Sequence, residues 1–598
     1  MASPATTAAL GPLGAMDTTV SGPVEIAGVV AAHLNLLGAR ANRAPGAVGN
    51  GGITVSGHGF DPVSATAYWG GPGSGLVDEA TVQAATGVMA VHGRRTGPPA
   101  GLAADYTATA TAVLTVQGLL AALIGQARGV TGTSRLSTGA DRAGLLAVSQ
   151  YLAAAGADEG EAAELAPGGP PFTCAEGVLF ELETLDPGVW AAFWRTLDAP
   201  ADAIRAGWRP FQFRYATACA PFPPVLHEVT RARPLAEIRR AADLSGAEVC
   251  VLRTLAERHA EADGAPPWSF RPLGGDTSQR PVRTARPVGP AADGGPLTGL
   301  TVLEAGRRIQ APLAAHLLAQ LGAEVIRIEP PGGDPLRGMP PTSSGVSARW
   351  LALNRGKKAV EIDIKAAADR RRLTGMAAGA DVFLHNWAPG KAAELGLDAE
   401  DLARANPALV YAYTGGWADR IDDAPMGTDF MVQARTGVGE AVRPEGRPPA
   451  PSLMTLLDVL GGLHGAEAVL AGLLLRERTG HGVRVDSSLL GAADTLTAPA
   501  LARIGRGENP RRPAGFRRPL PTADGWIAPA DRDARGAAVH DLTALPTTEA
   551  LALLHGRGLA ATTVTTDLSD LHHDPRFAGA IHRDAHGAPA VPAPWSFA

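Results

Sequence analysis

The chain has 598 residues, 45% of them hydrophobic and 19% charged, too apolar for a disordered polypeptide. Its 59 acidic and 53 basic side chains leave a net charge of −6, which argues against a nucleic-acid partner held by net charge. Three cysteines, Cys174, Cys219 and Cys250, offer neither a disulfide framework nor metal-ligand spacing, and predict a reducing, cytoplasmic setting.

In chain order, no basic segment followed by an apolar run opens the sequence, so no secretion signal is expected. Residues 1–67 give only one helix, over 24–37, and no further assignment. Residues 68–272 read as globular, with Trp190, Trp194, Trp208 and Trp268 among amphipathic stretches. Residues 273–296 are rich in Pro, Gly and Arg and read as a linker. The apolar runs 112–124 and 459–475 are shorter than the roughly 20 residues that cross a bilayer. They carry Gln117, or His464 and Glu467, so they read as buried helices of a soluble protein, with no membrane partner.

From 297 a strand over 299–304, a helix over 311–321 and a strand over 324–329 form a β-α-β unit, the crossover that parallel strands require. Further strands over 359–364, 380–384 and 409–414, with helices between, predict an α/β fold. Its large domain, 297–510, is an open parallel Rossmann-like sheet with helices on both faces, followed by a reduced α+β domain over 515–598.

The sequence repeats itself. VQAATGV at 82–88 recurs as VQARTGV at 432–438, and APPWSF at 265–270 as APWSF at 593–597. Between them Asp105 and Asp458 each precede an apolar helix. The first part of the chain therefore reads as a partial second copy of the later module, with no counterpart expected for the 299–329 opening.

Asp458 is the candidate reactive group. An N-cap-like position lets its oxygens accept backbone N–H bonds and favours the ionised form. Such a carboxylate is either a cap or a nucleophile. Gly461 and Gly462 would let a ligand approach the backbone beside it. Arg355, Lys357 and Lys358 precede a strand, where they suit phosphates or form a solvated basic loop. Only four lysines occur in the chain, and Lys357, Lys358, Lys365 and Lys391 fall in one stretch. Asn386, Trp387 and Ala388 follow a strand at the carboxyl end of a parallel sheet, where ligands sit. Arg337 closes a turn over 332–337 and suits an anion. No G-x-G-x-x-G, phosphate-loop or G-x-S-x-G motif is present, so neither a nicotinamide, a nucleoside triphosphate nor a serine nucleophile is supported. His572, His573 and Asp574 lack a third ligand at helical spacing and read as surface, so no metal is expected.

Together, LTGLTVLE at 297–304, LGAEVIRIEPPGGD at 321–334, NRGKK at 354–358, NWAPG at 386–390 and the run from Asp458 to Asp486 resemble the family III CoA-transferases. The resemblance covers 297–490 closely and 515–598 loosely. It implies that Asp458 attacks an acyl-CoA, carries the CoA as an aspartyl thioester and passes it to an acceptor carboxylate. It places CoA against Gln310, Ala311, Asn354 to Lys358, Asn386 to Ala388, and Gly415, Gly416 and Trp417. Acyl-CoA and a carboxylic acid are then substrates, and no cofactor is permanently bound. The family's interlocked homodimers, with sites between chains, imply a homodimer or a pseudo-dimer within one chain. Two alternatives stay open: an acyl-CoA racemase or isomerase of the same superfamily, and a non-catalytic CoA-thioester-binding scaffold. Racemases of the superfamily carry a His where this chain has Thr428.

Overall fold

A computed structural model describes residues 11–43, 51–273 and 294–598. Apart from its ends, the linker expected over 273–296 lies outside the described residues. The first half opens with β1 (Asp17–Val20), α1 (Val24–Leu36) and β2 (Arg40–Arg43), then β3 (Gly51–Gly57), β4 (Phe60–Tyr68), α2 (Tyr106–Ala127) and β5 (Arg135–Gly139). A small antiparallel sheet of β6 (Phe172–Thr173), β7 (Leu179–Glu183) and β8 (Glu248–Val251) follows, then β9 (Trp268–Pro272). The second half contains β10 (Thr301–Ala305), α3 (Gln310–Gln320), β11 (Glu324–Glu329), β12 (Lys358–Glu361), β13 (Val382–His385) and β14 (Val410–Gly415). It continues through α4 (Leu456–Thr479) and β15 (Val483–Ser488). A second small sheet has β16 (Leu520–Pro521), β17 (Trp526–Pro529) and β18 (Ala561–Thr563), and β19 (Trp595–Phe597) ends the chain.

The second half's large sheet runs β12-β11-β10-β13-β14-β15-β9. Its first six strands are parallel, as the sequence predicts, and β9 is an antiparallel edge. Strands such as VFLH in β13 are buried on both faces, the pattern of a sheet covered by helices. The first half's sheet runs β2-β1-β3-β4-β5-β19. Its β1 and β2 are parallel and joined by α1. This β-α-β unit corrects the expectation that the first copy lacks the opening: residues before 67 supply it. What differs is β3, which runs antiparallel between β1 and β4, where the second half has β13 parallel to both neighbours.

The two halves exchange their last strands. β9, from the first, pairs with β15 of the second, with Trp268 opposite Ser487. β19, from the second, pairs with β5 of the first, with Trp595 opposite Thr138. The repeated tryptophan motif is thus the edge strand that each copy lends to the other. The two apolar runs form α2 and α4, buried almost throughout and packed on one another, in one apolar core that takes side chains from both halves. His33 on α1 and Glu467 on α4 join the halves through a buried contact of 2.9 Å.

Trp595 is 4% exposed and its Nε1 donates to the Leu114 carbonyl at 2.6 Å. Trp595→Ala is expected to cost about 3–5 kcal/mol, seen as a lower urea midpoint, because it opens a cavity and removes that hydrogen bond.

Candidate active site

Residues just beyond the carboxyl ends of β10 and β11 and residues between 184 and 216 of the first half enclose a cavity of about 330 Å³. Asp458 lines it together with Arg308, Asn354, Arg214 and Tyr215, so both halves build the walls. Asp458 is not the N-cap expected from sequence. It is the third residue of α4, and Thr455 precedes the helix in the left-handed region at φ 55°. Arg308 also has a left-handed backbone, at φ 62°. Two non-glycine residues in that region beside one cavity are the kind of strain that functional sites hold.

Asp429 fixes the start of α4 by accepting the Asp458 backbone N–H at 2.7 Å. It is buried, and burial raises its carboxyl to about 6 against the lowering effect of its hydrogen bonds. The Asp458 carboxyl is pushed well above its ordinary value by burial first and then by the negative charge of Asp429, with Glu183 adding to this and Arg308 opposing it. Glu183, at the end of β7, accepts from Arg214 at 2.9 Å, from the Thr428 hydroxyl at 2.8 Å and from the Tyr215 hydroxyl. The guanidinium of Arg308 lies 5.3 Å from the Tyr215 ring centroid.

Gly461 and Gly462 serve packing rather than a ligand. A Cβ on Gly461 would meet Gln310 Nε2 at 2.8 Å, and one on Gly462 the Gln310 carbonyl at 2.9 Å. They bring α4 against the start of α3.

The first half holds the same construction without the acid. Gln433 joins Asp429 to the Ser452 backbone, and Asp429 accepts the Asp458 N–H. Gln83 joins Glu79 to the Leu102 backbone, and Glu79 accepts the Ala108 N–H at 2.8 Å. The offset is a constant 350 residues, and the counterparts Tyr106 and Leu456 touch each other. The counterpart of Asp458 is therefore Ala108, not Asp105, which matches Thr455 instead. Asp105 is tied to Arg517 at 2.6 Å and to Arg512 at 3.4 Å, both from the second half.

The residues expected around CoA divide. Asn354 reaches the cavity. Gln310 donates to the Gly415 carbonyl at 3.3 Å, and Ala311 is buried beside it. Asn386 grips the Arg307 backbone through both side-chain atoms, at 2.8 and 3.0 Å. Trp387 lines a second cavity of about 560 Å³ at the ends of β10, β11 and β12, with Arg307, Arg308 and Lys365. Ala388 is exposed, Gly416 packs against Gly427, and Trp417 donates to the Pro425 carbonyl at 2.6 Å.

The basic stretch, which the resemblance places around the CoA phosphates, divides in the structure. Lys357 is buried, with its Nζ within 2.9 Å of Glu304, Asn354 and the Pro312 carbonyl, and burial lowers it to about 8 against the pull of Glu304. Lys358 is exposed at the first residue of β12, paired with Glu324 at the amino end of β11. This is the wrong end of a parallel sheet for a ligand. Arg355 binds Asp584 at 2.7 Å. Arg337 binds Glu329 at 2.7 Å and lies over Trp350, 3.8 Å from its centroid. Lys358→Ala is expected to leave the affinity for CoA unchanged in a direct binding titration.

Sequence reasoning missed Arg308, Asp429 and the cluster of Glu183, Arg214 and Tyr215. Asp429 lay in the motif inspected for Thr428. The other three sit in the half that carries no visible site of its own.

The CoA-transferase family III profile matches twice, over residues 53–267 and 297–577, and the chain belongs to that family. Among its relatives, the succinyl-CoA:glutarate CoA-transferase of Mus musculus is 35% identical over 226 residues, 37% of this chain and 51% of that protein. The acetyl-CoA:oxalate CoA-transferase of Acetobacter aceti is 35% identical over 203 residues, 33% of this chain and 52% of that one. The probable fatty acyl-CoA transferase Rv3272 of Mycobacterium tuberculosis is 37% identical over 194 residues, 31% and 48% of the two chains. These matches span about half of each relative. A CAIB/BAIF family protein from Brucella suis superposes with a TM-score of 0.47 at 26% identity, covering 51% of this chain and 93% of that one.

Proposed function

We propose that the protein is a CoA-transferase that moves CoA from an acyl-CoA donor to a carboxylic acid through an aspartyl-CoA thioester on Asp458. One observation carries this reading. A single carboxylate in the first turn of a buried helix faces a cavity that both halves of the chain enclose. The ionised carboxylate attacks the donor thioester carbonyl, the C–S bond breaks, and a mixed anhydride and CoA thiolate result. The thiolate attacks the aspartyl carbonyl, which releases the donor acid and leaves the aspartyl thioester. The acceptor carboxylate repeats the exchange: it forms a second anhydride, and the thiolate then takes the acceptor acyl group and restores Asp458. No water and no resident cofactor takes part, so enclosure of the cavity serves the chemistry by limiting hydrolysis. Relatives that transfer CoA to glutarate or oxalate by name support the same class of reaction. Racemisation is disfavoured, because the Thr428 hydroxyl donates to Glu183 and offers no base.

With Ala108 in the other copy, each chain has one working site and acts as a pseudo-dimer in itself, in a reducing compartment that suits its three free, buried cysteines. Intact-mass measurement after incubation with a panel of acyl-CoAs tests the reading. One CoA per chain, released by hydroxylamine and lost in Asp458→Ala, is expected. Absence of any adduct alongside measurable CoA binding would leave the scaffold role instead.

A further inference from the structure

The wall of the 330 Å³ cavity is largely apolar. Leu185, Trp208 and Phe213 enter it from the first half, and Met339, Trp350 and Leu353 from the second. Two of the three guanidiniums on its wall are already neutralised: Arg214 by Glu183 at 2.9 Å, and Arg349 by Glu161. Only Arg308 among them has no carboxylate partner within the described residues, and it stands at the junction with the second cavity, close enough to Asp458 to favour its charge. One cation can hold one carboxylate. A second carboxylate at the far end of an acid would find no unpaired cation on this wall, only neutral side chains such as Gln150 and Gln212, and a carboxylate taken from water without a counter-charge is costly.

We infer that the acid exchanged at this site is a monocarboxylic acid with a bulky aliphatic or aromatic body, its carboxylate at Arg308 and its apolar part against Trp208, Trp350 and Met339. This rests on the transferase reading and adds to it the class of acid. It also separates this chain from the relatives named for succinate, glutarate and oxalate.

The test is a competition assay on the full chain, with octanoate and 3-phenylpropionate against succinate, glutarate and oxalate as acceptors, alongside the mass of the Asp458 adduct. At least about tenfold higher kcat/KM for the apolar acids is expected, since a site lined for one chemistry rejects the other by such factors. Equal or better use of the dicarboxylic acids, with the adduct present, would overturn the inference and leave the transferase reading standing. Neither adduct nor transfer with any acid would overturn both. Leu185→Arg supplies a second cation on the half-exposed rim and is expected to raise kcat/KM for glutarate at least about tenfold. No gain there would overturn the placing of the acid's body in this cavity.

Discussion

Asp458→Asn is expected to lower CoA transfer at least about 10³-fold, the scale on which loss of a nucleophile acts, with the fold intact. The substitution keeps shape, and the Asp458 carboxylate makes no hydrogen bond within the described residues, while its backbone N–H still donates to Asp429. Thermal unfolding should therefore be unchanged or slightly raised, because an acid crowded by burial and by Asp429 has been replaced with a neutral amide. The same crowding fixes the sign of the pH dependence. The nucleophile is the ionised form, and the site raises its pKa, so the rate should climb with pH along a limb displaced upward from an ordinary carboxyl group. Asp429→Asn removes the nearest negative charge and should move that limb to lower pH. A limb that stays in place would show that Asp429 only anchors the helix.

Arg517→Ala is expected to cost about 3–5 kcal/mol of stability, as removal of one partner from a buried ion pair does. The Arg517 side chain is 2% exposed and binds Asp105 at 2.6 Å, Asp531 at 2.7 Å, and the carbonyls of Leu102 and Ala104 at 3.0 Å each. Its loss leaves Asp531 without a cation, and Asp105 with only the 3.4 Å contact to Arg512, beside the buried Glu79. It also loosens the second half's small domain from the first half, a contact supported by the Asp531 N–H on Asp78 at 2.6 Å. Chemical denaturation would read the cost, and adding Asp105→Asn should recover part of it, since one stranded charge is then gone.

Much of this was legible in the sequence, for identifiable reasons. The β10-α3-β11 unit has apolar strands and an apolar crossover helix, and its bounds in the structure differ from the sequence reading by a residue or two. The repeat was visible because VQA-TGV and PWSF are short and little altered. The matching β1-α1-β2 unit escaped because DTTV and RANR are not apolar runs, and the strand that completes the pattern, β3, runs the other way. Asp105 was paired with Asp458 because each is an acid before an apolar helix. Local sequence does not record which backbone N–H an acid 29 residues upstream accepts, and that hydrogen bond sets the register. Lys357 and Lys358 were indistinguishable by type and adjacency. Lys357, in the connection just ahead of β12, turns into the interior, to Glu304, and Lys358, the first residue of the strand, points into solvent. Glu183, Arg214 and Tyr215 were hidden for a different reason: Asp458 lies more than 240 residues further along the chain, and only the folded arrangement brings them to its cavity.

The exchange of β9 and β19 has a consequence for how this protein behaves in dilute solution. Two separate subunits that lend each other an edge strand part at low concentration, and their activity falls with them. Here the lender and the borrower are one polypeptide, so the effective concentration of each for the other is set by their covalent connection. Dilution leaves the enclosure around Asp458 intact, and the turnover per chain should be the same at nanomolar as at micromolar protein.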